Sequence, residues 1–288
     1  MFPVSQFIAN SLIVGAVYAL MALSVDLLFS VTKFFNIALG GIALVAGYTA
    51  YAVIATLGLS VPAALAAGIM AAVVASVLSD ALVFKPLRRR KTSAMILLVA
   101  SLGVFTLIQA LAGIFFGSQL EEIGGSRTAG HIIAGAALTD SQIAGIVFAV
   151  AAFIAVLLSL YYTRFGRAIR AIRDDVEVAK IVGIDTERIL LAVFVISGFL
   201  AGGAGLFTVF DIGLQPTSGF MLLLKGVIAA IFGGLGSVYG APVGALILAF
   251  AENFVVFQFA AEWRDIVAFV ILVLLLFFRR KGLFSSKI

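Results

Sequence analysis

A 288-residue chain that is 63% apolar and 11% charged, with mean hydropathy +1.23, cannot hide its apolar surface from water in any folded core, so its solvent is lipid. The absence of cysteine excludes disulfides, thiolate metal sites and a Cys nucleophile. A net charge of +5 does not indicate nucleic acid, because the basic residues fall between apolar runs, where they report topology.

Apolar runs of spanning length begin at once. The first predicted span is 6–30. It is read as retained rather than as a signal peptide: its first charge is Asp26, so a basic leading region is missing, and the run Phe7–Phe29 exceeds a typical signal core. Lys33 lies in a tight turn before spans 37–57 and 62–84. A basic loop follows, with Lys85, Arg88, Arg89, Arg90 and Lys91, and then span 94–116. The polar segment 117–140 carries Glu121, Glu122 and His131, the single histidine, for which a surface role is expected. Span 141–163 leads into a charged loop, 164–188, and then to span 189–211. Spans 219–233, 238–259 and 263–279 complete the map. The weakest is 219–233, which is short. The stretch Gly233–Gly240, containing Gly234 and Gly236, reads as a tight turn or a re-entrant break. The fold expected is an all-α polytopic bundle of about nine spans, with 8–10 allowed by that ambiguity. Residues 1–288 form one membrane domain.

Charge orients this map. Sixteen of the nineteen basic residues fall on one side, including Arg279, Arg280, Lys281 and Lys287 of the tail. That side is cytoplasmic by the positive-inside rule, which puts the N-terminus outside and the C-terminus inside. Small-xxx-small spacing recurs at Gly113/Gly117, Gly198/Gly202 and Gly240/Gly244, as expected of helices that associate in lipid by close backbone contact.

Ionisable residues inside spans are costly and often functional. Asp26, Lys225 and Glu252 are singled out. Lys225 and Glu252 lie at similar depth, roughly 10 Å below the outer surface at 1.5 Å per residue, on antiparallel neighbours. An ion pair between them is expected. It either neutralises itself structurally or belongs to a translocation path.

Loop 164–188 is too charged for lipid. Ile169, Ile172, Val176 and Ala179 recur on one face of a helix, with Arg167, Arg170 and Arg173 on another. Gly183 is a plausible stop and Asp185 a plausible N-cap for the next span. Such a helix needs a surface to lie on, either the bilayer or a soluble partner, and Asp174, Asp175 and Glu177 favour the partner. No HExxH, Walker A or membrane Ser/His or paired-Asp set can be assembled, so no catalytic site, metal or cofactor is expected. Any energy for pumping comes from elsewhere.

The stretches Gly166–Ala171, Ala179–Arg188, Phe194–Gly198 and Ala201–Gly205 resemble the permease subunits of branched-chain amino acid ABC importers. So do Lys225–Ala245, leading to Glu252, and Gly15–Leu20 with Asn36–Gly40. The resemblance covers nearly the whole chain. The family's Asn-Phe-Ala-His-Gly becomes Asn36-Ile37-Ala38-Leu39-Gly40 here, and Asp26 stands where the family is usually uncharged. It implies a transporter subunit, not an enzyme, in the bacterial plasma (inner) membrane. The implied partners are a second permease subunit, homologous or identical, two cytosolic ABC ATPases, an external solute-binding protein and membrane lipid. It also implies an ATPase-coupling helix using Gly166, Arg167, Arg170, Arg173, Glu177 and Gly183. Lys225 and Glu252 become candidate path residues, and Asn36, Gly40, Gly233, Gly234 and Gly236 candidate path or packing residues. The other function classes left open by the residues are a passive channel for a small polar solute such as urea, and a non-transporting scaffold.

Overall fold

Twelve α-helices and one short hairpin account for the chain in the computed structural model, which describes residues 4–121, 123, 130–133, 135–259, 261–278 and 283. Glu122 and the basic tail residues Arg279, Arg280, Lys281 and Lys287 lie outside the described residues. The chain opens with α1 (Val4–Thr32). Lys33, in the left-handed region at φ 58°, ends it. Asn36 then starts α2 (Ala38–Ala55), its Oδ1 accepting the Ala38 N–H at 3.0 Å. Pro62 sits in the first turn of α3 (Val61–Ser79), where a missing N–H costs nothing. One π-helical turn, Asp80–Phe84, joins α3 to α4 (Lys85–Arg89) as a single 29-residue rod. The next rod is α5 (Ala94–Phe116).

The polar segment 117–140 contains an antiparallel hairpin, β1 (Gly130–Ile133) with β2 (Ala136–Thr139). A two-residue connection brings Gly135 to φ 81°, which only glycine adopts without strain. Thr139 and Gln142 form a capping box that starts α6 (Asp140–Tyr162).

The cytoplasmic-helix expectation needs two corrections. It is not one helix but two, α7 (Arg164–Asp174) and α8 (Val176–Ile181). Asp175 breaks the run by adopting extended backbone and accepting the N–H groups of Glu177 and Val178 with its own carboxylate. The stripe does not lie on lipid or on a soluble protein. Ile169, Ile172 and Ala179 are buried against the chain's own bundle, and only Val176 of the four is exposed. After Gly183, at φ 85°, Asp185 caps α9 (Thr186–Asp211) by accepting the Arg188 N–H at 3.1 Å. The chain finishes with α10 (Ser218–Gly233), α11 (Gly240–Gln258), a short 3-10 turn and α12 (Arg264–Phe278).

Among the described residues seven helical rods are long and apolar enough to cross a bilayer, and α10, at 16 residues, and α12, at 15, are shorter. Helix α1 is the axis of the bundle: 72% of its most apolar window is buried, against 17% for α5, which faces outward. Around α1 pack α6, α9, α10 and α11, with α2 and α3 against α9. The glycines decide how close these rods come. A Cβ on Gly40 would lie 2.6 Å from the Gly219 carbonyl oxygen, and one on Gly219 would lie 2.5 Å from that of Gly40, so α2 and α10 touch backbone to backbone. Gly198 and Gly202 pack on α3, and Gly240 and Gly244 on α10, whereas Gly113 and Gly117 face open space. Gly40→Val is expected to cost about 1–3 kcal/mol by overpacking, read as a lower thermal midpoint in detergent, whereas Gly113→Ala should leave it unchanged.

Candidate functional site

Two buried polar stations mark the bundle, one toward each end. The first lies in the half that carries the hairpin. Lys225, on α10, reaches Glu252, on α11, with Nζ 3.2 Å from each carboxylate oxygen. The helices bring them together because α10 and α11 run antiparallel from a tight turn. Glu252 is fully buried, and an unpaired carboxylate there would be very costly. Its second support is Tyr18 of α1, whose hydroxyl donates to Oε2 at 2.8 Å. Arg264 approaches the same oxygen at 3.9 Å and donates to Asn253 Oδ1 at 3.2 Å. Lys225 also meets Asp265 at 2.9 Å, and its ammonium stands 5.4 Å from the Tyr18 ring centroid. Charges from three helices therefore neutralise one another around a fourth, α1. A cavity of about 360 Å³ opens beside them, lined also by Asp211 and Gln215.

The second station lies where α7 meets the turn between α10 and α11. Gly234 and Gly236 hold φ 100° and 85° there, so the turn is built on glycine conformations. Asp26 of α1 is buried and accepts the Gly236 N–H. Arg173 of α7 donates to the Gly236 carbonyl at 2.7 Å. One residue, Gly236, is thus gripped by α1 through its N–H and by α7 through its C=O, in two successive peptide groups. Arg170 donates to the Leu160 carbonyl and lies 5.9 Å from the Tyr161 ring centroid, fastening α7 to the end of α6. Gly166 makes that corner feasible: a Cβ there would fall 2.0 Å from the Leu160 carbonyl oxygen. Lys33, close by, has its pKa lowered by partial burial and then by the Arg173 charge.

The other residues singled out from the sequence separate cleanly. Arg167, Glu177 and Gly183 are exposed along α7, α8 and their exit. Asn36 caps α2 and joins neither station by hydrogen bond or ion pair among the described residues. Gly40 and Gly233 are contact points, on Gly219 and Gly240 respectively. His131 is exposed at the hairpin, 2.8 Å from Asp140. Among the described residues no group of three His, Asp or Glu side chains could hold a metal ion.

The branched-chain amino acid transport system / permease component family matches residues 7–276, almost the whole bundle and both stations. The chain belongs to this family. It is 30% identical over 292 residues to the high-affinity branched-chain amino acid transport system permease protein LivH of Escherichia coli (strain K12), covering 96% of this chain and 94% of that one. The corresponding protein BraD of Pseudomonas aeruginosa is 29% identical over 293 residues, with the same coverage of both chains. PsaBC from Streptococcus pneumoniae, solved in complex with Fab, shares the fold alone, at TM-score 0.52 and 14% identity over 95% of this chain and 92% of that one. The permease is accordingly a multi-pass inner-membrane protein.

Sequence reasoning overlooked one of the permease's buried charges and three members of the first station. Asp80 is buried in the π turn and meets Arg88 at 2.7 Å, eight residues along the same rod. Its signal was present, since it is an acidic residue inside a span. Tyr18, Arg264 and Asp265 carried less. A tyrosine on an apolar helix is unremarkable, and charges at a span end normally meet water.

Proposed function

We propose that this chain is the membrane-spanning subunit of an ABC importer for branched-chain or related amino acids. Residues 1–288 act as one permease domain, with a coupling loop at 164–188. The seven long rods together with α10 and α12 make nine spans, with the N-terminus outside and the C-terminus in the cytoplasm. The second station and the basic loops then face the cytoplasm, and the first faces outward. The chain pairs with a second permease subunit, homologous or identical. Two cytosolic ATPases supply the energy, and an external binding protein delivers the solute.

One observation carries the reading. Helix α7 spends its apolar stripe on the bundle, yet α8 leaves Val178 and Ile181 exposed, at 54% and 83%, followed by Val182 at 67%. This short apolar knob, flanked by Glu177 and Lys180, is at the basic end of the molecule and too small to be a membrane anchor. It suits a cleft on a soluble partner. Gly166, Arg170 and Arg173 fix α7 to the spans, Arg167 and Glu177 offer polar contacts to that partner, and Gly183 turns the chain back. ATPase closure would then bias the inward- and outward-facing states through α7. Lys225 and Glu252 line the outward part of the path. Gly40, Gly233, Gly234 and Gly236 set the close helix contacts beside it, and Asn36 shapes the α1–α2 turn.

Purification with the candidate partners tests this. The expected result is a stoichiometric complex with nucleotide-binding subunits and vanadate-sensitive leucine uptake into proteoliposomes. Leucine uptake by the lone chain without ATP would overturn it. The family membership does not favour the urea-channel alternative, which predicts vanadate-insensitive urea flux.

A further inference from the structure

The cavity at the first station has a composition that the ion-pair network alone does not explain. Its volume, about 360 Å³, is in the range of small-molecule sites. Its charged lining is Lys225, Arg264, Asp265 and Asp211. Val17, Met221 and Leu222 form an apolar part of the same wall. Glu252 and Asp265 balance Lys225 and Arg264, so Asp211 leaves the site with one negative charge in excess, and a purely anionic ligand would add to it in a half-buried place. Asp211 is different. It makes no ion pair among the described residues, and Gln142 Nε2 donates to its Oδ1 at 2.8 Å, holding the carboxylate in place. The site therefore offers cations on α10 and α12, a fixed carboxylate at the end of α9 without a cation, and an apolar surface between α1 and α10.

We propose that this cavity is a binding subsite for an α-amino acid zwitterion with an aliphatic side chain. The solute carboxylate displaces Asp265 from Lys225 and meets Arg264 beside it, its ammonium pairs with Asp211, and its side chain lies on Val17, Met221 and Leu222. With Asp265 released to solvent, the solute carboxylate takes over its charge and the solute ammonium compensates Asp211, so the two ends match the two kinds of group the cavity presents. The Lys225–Asp265 pair is the natural gate, since Asp265 is 58% exposed and Lys225 is anchored independently by Glu252. This inference rests on the importer reading above and assigns its solute a place.

The test uses the assembled complex in lipid nanodiscs, with radiolabelled leucine as the probe. Isovalerate, which lacks the ammonium, and isopentylamine, which lacks the carboxylate, serve as competitors. Asp211→Asn keeps the shape of the side chain and its contact with Gln142, and is expected to weaken leucine binding by about tenfold or more. It should leave competition by isovalerate unchanged, which a merely structural defect would not do. Asp265→Asn should strengthen isovalerate by freeing Lys225. A complex that transports leucine while Asp211→Asn binds it as the wild type does would overturn the subsite alone. A complex that assembles and hydrolyses ATP but moves no amino acid would overturn the importer reading itself.

Discussion

Glu252→Ala is expected to destabilise the folded chain by about 3 kcal/mol, the lower end of the range for breaking a buried ion pair. The cause is what remains behind. Lys225 is only 11% exposed and would keep its charge with Asp265 as its one ionic partner, while the Tyr18 hydroxyl would lose its acceptor. Asp265 sits in a wetter place, which is why the loss should fall at the lower end and not the upper. Glu252→Gln should cost less, because its carbonyl can still accept from Tyr18. The double substitution Lys225→Met with Glu252→Met should recover much of the stability, since an apolar pair in an apolar bundle carries no desolvation penalty. Thermal unfolding in detergent for the wild type, both single variants and the double variant checks the order. A Glu252→Ala chain that melts with the wild type would show that the pair contributes nothing to folding. Transport separates structure from path: Glu252→Gln with unchanged uptake and assembly would remove Glu252 from the translocation route.

That pair was legible before any coordinates, because depth and antiparallel connection fixed it: two in-span charges at matching depth on helices joined by a short turn have few other places to go. The spans were legible for the same reason that lipid demands long apolar runs. What was not legible is where side chains from distant segments converge. Tyr18 and Glu252 are separated by 234 residues, and Asp26 and Gly236 by 210. No periodicity links such positions. The fate of the α7 stripe was hidden differently. A pattern of Ile169, Ile172 and Ala179 shows that a face must be covered but not by what, and the bundle's own basal surface proved nearest. The break at Asp175 was local and could have been read, since Asp before Val-Glu-Val is a serviceable N-cap. The hairpin at 130–139 is short, and both its strands are too brief to show alternation.

The second large effect concerns energy transfer rather than folding. Arg173→Ala should leave ATP hydrolysis by the assembled complex near its wild-type rate while lowering leucine moved per ATP by about tenfold, within the usual 1–3 kcal/mol span of coupling free energies. Arg173 is the one α7 side chain that reaches the α10–α11 turn by hydrogen bond among the described residues. Without it, a displacement of α7 and α8 by a docked partner would reach α10 and α11 only through apolar contacts, which slide. Asp26 holds the N–H of the same residue, Gly236, so the turn should follow α1 when α7 lets go. Asp26→Ala makes the complementary case: α7 keeps its grip on the turn but the turn loses its anchor on the central helix. Its deficit should not add to that of Arg173→Ala, because both act on one residue, Gly236. Gly236→Ala is the harsher version, since its φ of 85° is strained for any side chain and a Cβ would press on the Arg173 guanidinium at 3.2 Å. Proteoliposomes scored for both ATP hydrolysis and uptake decide the matter. Equal fractional losses in the two rates would place Arg173 in assembly instead of coupling, and wild-type values of both rates would reduce its bond to packing.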